Sequence, residues 1–235
     1  MDQVAPPELI AAELPGFVQV PPRGAGEVSL TDARTGRRWT VPVSPFLIGR
    51  TPVCDVHGGP LVELSWRQAV LLCNAWSRRD GLSPAYRVTE VEVPEPDRRG
   101  RHDRPAPDSW QVVWDRSADG YRLPTEAEWQ LACQAGTPGP HHGPLDEVAW
   151  YRNTSDGALH RAGTKSSNAW GLHDMLGNVW EWCWDLFDEE LYGPYRVIRG
   201  GGWADPAWSC RAGVRRKTQP TARFDDLGVR LARSL

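Results

Sequence analysis

The chain has 235 residues, a formal net charge of −3 and 40% hydrophobic residues. That length buries a substantial core in one large domain or two small ones. The charge offers no general attraction for nucleic acid or anionic membrane, and no apolar run approaches the roughly 20 residues of a membrane-spanning helix.

The N-terminal stretch MDQVAPPELIAAELPGF is acidic and proline-rich and lacks the basic start of a signal peptide, so a cytoplasmic protein is the expectation. Residues 1–44 read as an extension and entry strands of the same domain as residues 45–235. VSLTDARTGRRWTVPV alternates weakly about a turn signal from Asp32 to Gly36, the pattern of a hairpin. A helix follows. Ser65 caps it, Gln68 completes a capping box, and Trp66, Ala69, Val70, Cys73 and Trp76 recur at helical spacing until Gly81 ends it. From Val88 to Asp119 a polar, proline-rich insertion separates two strands, and His102 within it reads as solvated. YRLPTEAEWQLACQAG supplies a second capping box from Thr125 and Glu128. Ala127, Leu131 and Ala132 form its buried stripe, with Trp129 and Cys133 on the margins. Residues 137–167 read as mostly loop, and the adjacent His141 and His142 diverge, so by themselves they do not chelate one metal.

The centre of the chain is NAWGLHDMLGNVWEWCWD, Asn168 to Asp185. Trp180, Trp182 and Trp184 alternate with the period of a strand, opposite Glu181 and Cys183, and every buried indole needs a partner for its N–H. Asp174 and Glu181, brought together by turns at Gly171 and Gly177, make an oxygen pocket suited to a hard cation; the plainer reading is a core turn whose carboxylates cap backbone amides. RVIRGGGWADPAWSCRAGVRR then gives a strand, a glycine-rich bend and a second aromatic cluster, and FDDLGVRLARSL closes with a strand. Five cysteines, Cys54, Cys73, Cys133, Cys183 and Cys210, form no disulfide framework and no C-x-x-C pair, so buried, inert roles are expected. Thirteen tryptophans beside 21 prolines and 23 glycines imply a loop-rich fold held by aromatic packing.

Five collinear blocks, LSWRQAVLLCNAWSRRDGLSPAYRV, YRLPTEAEWQLACQAG, NAWGLHDMLGNVWEWCWD, RVIRGGGW and DDLGVRLAR, resemble the formylglycine-generating enzyme family, the sulfatase-modifying-factor domains, over roughly residues 45–235. The resemblance implies an α+β domain of the C-type-lectin-like kind with little regular secondary structure. It implies a structural calcium site with Asp174 and Glu181 as side-chain ligands and Gly177 and Val179 as carbonyl ligands. It places the chemistry after the glycine-rich strand, where copper-dependent members carry two cysteines five residues apart. Here Cys210 matches the second, and Asp205 stands at the first. A carboxylate does not replace a thiolate for Cu(I), so the family's usual reaction is not expected. The shortened stretch between GRTPVCDVHGG and VELSW implies an altered peptide-binding surface. A second branch, the non-haem iron sulfoxide synthases, draws its iron histidines from a separate helical domain, and His57, His102, His160 and His173 form no H-x-x-x-H pair here.

Two functions remain. One is a metal- and O2-dependent oxidation, with copper or iron, of a thiol-containing peptide or small molecule, in which Cys210 is the reactive thiol or ligand and Asp205 its neighbour. The other is a binding module in which Trp203, Asp205, Trp208, Arg211, Arg215 and Arg216 recognise a peptide, protein or small-molecule ligand. For Arg199 and Arg230 the expectation is core ion pairing, with Asp185, Asp225 and Asp226 as partners.

Overall fold

The computed structural model of the chain describes residues 7–10, 12, 14–21, 24–32, 35–90 and 110–235. Its elements run α1 (Pro7–Ile10), β1 (Phe17–Val20), β2 (Gly26–Thr31), β3 (Arg38–Val43), β4 (Phe46–Gly49), α2 (Trp66–Arg79), β5 (Tyr86–Glu90), β6 (Trp110–Trp114), β7 (Tyr121–Arg122) and α3 (Glu126–Gln134). The second half holds α4 (Leu145–Val148), β8 (Ala149–Trp150), β9 (Leu176–Gly177), β10 (Trp180–Leu186), α5 (Glu189–Tyr192), β11 (Arg196–Arg199), β12 (Arg215–Thr218), β13 (Leu227–Gly228) and β14 (Ala232–Ser234). Only α2 and α3 are longer than a single turn, so this is an α+β fold of low helical content.

Both long helices begin as their capping boxes dictate. The Ser65 hydroxyl accepts from the Gln68 amide, and the Gln68 side chain returns to the Ser65 amide; Thr125 and Glu128 repeat the exchange at α3. Each such cap contributes about 1 kcal/mol. The chain leaves α2 through Asp80 and a left-handed Gly81, and leaves α3 through Ala135 and Gly136, both left-handed. The expected hairpin is β2 with β3, in register from Gly26 opposite Val43 to Thr31 opposite Arg38. The polar insertion is flanked by β5 and β6, which pair antiparallel; its residues 91–109, with His102, lie outside the described residues. Residues 137–167 include α4 and β8, a turn of helix and a bridge-length strand that the loop reading did not contain.

Two four-stranded sheets organise the molecule, in the orders β1-β4-β14-β7 and β12-β11-β10-β13. The second carries the tryptophan-rich centre. Cross-strand register places Glu181 opposite Arg199 and Arg199 opposite Arg215, so these three share one face of the sheet. Trp182, Ile198 and Arg216 share the other. Helix α2 covers the second face. The Trp66 indole donates to the Cys183 carbonyl and the Trp182 indole to the Leu64 carbonyl, at 3.1 and 2.7 Å. Trp66, Val70, Cys73, Trp76, Trp182 and Ile198 form one core there. Helix α3 covers the first face, and Trp129, Ala132, Cys133, Cys183 and Val197 form the other core. Trp129 and Cys133 are therefore at the centre of that core and not at its margin, while Leu131 is only half-buried. The reason is that α3 is enclosed on several sides, so its polar Glu126, Glu128 and Gln130 are buried as well.

Candidate functional site

The glycine-rich bend after β11 builds the site. Gly201 has φ +87°, and a Cβ there would lie 2.7 Å from the Cys210 sulfur, so only glycine lets the two strands of the loop approach. Asp205 then pins the loop. Its carboxylate accepts the Gly202 amide at 2.9 Å, the Trp180 indole at 2.6 Å and the Ser209 hydroxyl at 3.1 Å, and it pairs with Arg216 at 3.5 Å. Around this anchor Arg216 lies with its guanidinium carbon 5.0 Å from the Trp180 ring centroid and 5.2 Å from that of Trp208. Trp180 is buried, whereas Trp208 is 52% exposed. Arg211 is exposed as well. Trp203 is half-buried, and its indole N–H is buried without an acceptor among the described residues.

The structure thus brings together Asp205, Trp208 and Arg216, keeps Trp203 and Arg211 on the same loop, and takes Arg215 away from them. Arg215 points through the sheet to α3, where Nε and Nη2 grip the two Glu126 oxygens at 2.7 and 2.8 Å. Its guanidinium also lies 4.2 Å from the Phe187 ring centroid. With its side chain 7% exposed, Arg215 is a core strut and not a recognition residue. Strand alternation carries neighbouring side chains to opposite faces, which explains the split. Arg199 joins the same cluster, donating to Glu126 and to the Ala212 carbonyl. Its partner is Glu126 and not one of the aspartates expected from sequence; Arg230 likewise pairs with Glu181. No local signal marks Glu126 as the hub, because its partners lie 73 and 89 residues away.

Cys210 is fully buried, and desolvation, reinforced by the negative charge of Asp205, pushes its thiol up to about 12. A thiol held neutral in this way is not a ready nucleophile. A two-thiolate copper centre needs a second sulfur, and the position five residues earlier is an aspartate whose oxygens are already hydrogen-bonded. Nor do the described histidines assemble an iron site. His160 stacks on Trp150 at 3.7 Å with Nε2 at the Ser155 carbonyl, and His173 directs Nδ1 to the Lys165 carbonyl. Among the described residues no three His, Cys, Asp or Glu side chains are grouped to hold a metal ion. The residues present fit neither metal centre.

The expected calcium cradle is divided. Asp174 has φ +54°, accepts the Gly163 amide at 2.6 Å through one oxygen and buries the other without a partner; burial pushes its carboxyl upward. That oxygen suits a cation. Glu181 does not. It is fully buried, both of its oxygens receive Arg230, and Oε2 also receives the Trp129 indole at 2.7 Å. Its lone pairs are used and its charge is balanced. The Gly177 carbonyl accepts the Val179 amide. The set of Asp174, Gly177, Val179 and Glu181 is therefore not assembled as a four-ligand site.

Several known proteins are similar to this chain. Residues 55–235 match the family described as the sulfatase-modifying factor enzyme 1-like domain. The chain is 31% identical to chaperone protein LppX of Paenibacillus barcinonensis, over 83% of this chain and 82% of that protein. It is 30% identical to hercynine oxygenase of Mycobacterium tuberculosis, over 82% of this chain, and the match spans about half, 53%, of the oxygenase. Among solved structures it is similar to Treponema denticola variable protein 1, with a TM-score of 0.75 and 30% identity, covering 93% of this chain and 95% of that one. No helix of the described residues is long and apolar enough to cross a membrane.

Proposed function

The chain belongs to the sulfatase-modifying factor enzyme 1-like domain family, and on that premise we propose that it is a divergent member whose working surface is a recognition face built on the loop from Gly202 to Arg216. The observation that carries this reading is the half-exposed Trp208 laid against Arg216, itself held between Trp208 and Trp180 and tied to Asp205. An exposed indole beside a guanidinium is the pair of side chains that dominates binding energy at interfaces. Four interactions already fix Asp205, so the loop loses little conformational freedom on binding, and its contacts count almost fully toward affinity. The ligand is a peptide, protein or small molecule that offers an aromatic or apolar edge to Trp208 and a carboxylate or carbonyl to Arg216. The test compares partner capture by the wild type, Trp208→Ala and Arg216→Ala, with Lys217→Ala as control. A specific partner lost with both variants and kept with the control bears the reading out; equal capture by all four proteins overturns it.

Likeness to the hercynine oxygenase favours a second reading, metal- and O2-dependent oxidation of a thiol-containing peptide or small molecule. It requires ligands other than a cysteine pair, because Cys210 stands alone and buried. Elemental analysis for copper, iron and calcium, with oxygen uptake after loading with Cu(I) or Fe(II), decides it. Retained redox metal with thiol-dependent oxygen uptake establishes this second reading; neither signal leaves the recognition face.

A further inference from the structure

Away from the recognition face, a cavity of about 950 Å³ opens between the β2–β3 hairpin, the start of α3, the segment after β10 and the C-terminal residues Ser234 and Leu235. Its inner wall holds three carboxylates, Glu126, Glu128 and Asp185. Two are neutralised within the chain: Glu126 by Arg199 and Arg215, and Glu128 by a bidentate Arg122 at 2.7 Å. Asp185 is different. One oxygen accepts the Glu126 amide at 2.6 Å, and no arginine or lysine of the described residues forms an ion pair with it. Burial pushes its carboxyl up to about 6, and the neighbouring Glu126 and Glu128 add to the push against the backbone hydrogen bonds that favour the charged form.

The walls are aromatic, from Trp39, Trp114 and Phe187. Those rings already hold cations of the chain itself. Arg37 and Arg215 lie over Trp39, Arg116 lies 3.6 Å from the centroid of Trp114, and Lys217 lies over Phe187. At the rim Glu189 and Glu190 are exposed, and carboxylates outnumber guanidiniums among the lining side chains. The site therefore has an excess of negative charge, aromatic rings of the kind that already pair with cations, and a half-buried carboxylate that no arginine or lysine of the described residues pairs with.

We propose that this groove is a second ligand site, separate from the recognition face, which takes an organic cation carrying a guanidinium or alkylammonium group and seats its charge on Asp185 between the aromatic walls. Guanidinium groups are favoured, since they pair with a carboxylate through two parallel N–H bonds while stacking on indole. A free diamine and a basic peptide side chain share this chemistry, and the experiment separates them.

Agmatine and acetyl-arginine amide are titrated separately into the full chain by calorimetry at pH 7.5, with citrate as an anionic control. Saturable binding of a cation, weakened tenfold or more by Asp185→Asn and unchanged by Trp208→Ala, is the expected result. Tighter binding of agmatine identifies a free amine as the natural class, and tighter binding of the amide identifies a peptide side chain. The Asp185→Asn variant keeps a side-chain oxygen to accept the Glu126 amide, and circular dichroism verifies its fold. Should that variant misfold, Trp39→Ala substitutes for it and must weaken binding by the same criterion. No binding of either cation at millimolar concentration, binding of citrate instead, or equal affinity in the folded variants overturns the proposal.

Discussion

Arg215 and Arg216 are neighbours in one short strand, and they lead different lives. Arg215 faces α3, with both oxygens of Glu126 in its fork and its side chain 7% exposed; Arg216 faces outward, 41% exposed, at 3.5 Å from Asp205 and against two indoles. On the α3 face Glu126 pairs with Arg199 and Arg215, and Glu181 pairs with Arg230, all with side chains at most 7% exposed. On the outer margin the same residue types leave an indole and a guanidinium partly in solvent. Saturation and burial distinguish a strut from a recognition group, and residue type does not.

The comparison breaks most sharply at Arg230. Arg230→Ala leaves Glu181 charged, buried and short of three hydrogen bonds, a loss of about 3–5 kcal/mol, which corresponds to a fall of roughly 10 °C in Tm for a chain of this size. Differential scanning calorimetry measures it, and a fall of a degree or two would show that the pair is not the core strut described above. Next in size is Arg215→Ala against Arg216→Ala. The first removes a bidentate buried pair and costs about 2 kcal/mol; the second removes an exposed pair and costs under about 1 kcal/mol. Urea titration of both variants checks the order, and a reversal would mean that the two faces have been misassigned.

A chemical probe sharpens the same contrast. Cys210 in the native chain stays unmodified by iodoacetamide at pH 8 and reacts once the chain is unfolded in urea, because burial suppresses its thiolate. Intact-protein mass spectrometry reads the result. Rapid native labelling of Cys210 would return it to the set of reactive groups.

The smallest effect is a pH dependence at the edge of the recognition face. Burial, then repulsion from Asp205 and Asp225, raises Asp226 from an ordinary carboxylate value to about 6. The folded chain therefore holds this proton more tightly than the unfolded chain, so stability is highest below pH 4 as far as this group is concerned and falls as pH rises through 6. After allowance for solvent screening, Asp226→Asn reduces that fall by roughly 1 kcal/mol. Thermal melts at pH 5 and pH 7.5 measure the difference between the variant and the wild type, and identical pH slopes would contradict the assignment.

Much of this was legible in the sequence because its causes are local. Ser65 with Gln68 and Thr125 with Glu128 need only three residues of spacing to start a helix, and the structure has both capping boxes. Trp180, Trp182 and Glu181 alternate along β10 as the period-2 pattern requires. The collinear blocks reached the family and the α+β fold. The limits are equally physical. Alternation assigns Trp182 and Glu181 to opposite faces but is silent on whether both faces are covered, and here both are. Arg199 and Arg230 were expected to hold the core, and they do, but with Glu126 and Glu181 as partners in place of the aspartates.

By itself the sequence determined where helices begin, which strand carries the tryptophans, and that the position five residues before Cys210 holds a carboxylate and no sulfur. Tertiary structure alone decided that Glu181 belongs to Arg230 across 49 residues, that Arg215 turns inward while Arg216 stays at the surface, that Cys210 is sealed, and that Asp185 lines a cavity with no countercharge among the described residues. Capping and periodicity act within a few residues, so the chain displays them wherever it is read. Pairing and desolvation depend on which distant segment closes over a group, and only the packed chain brings those segments together.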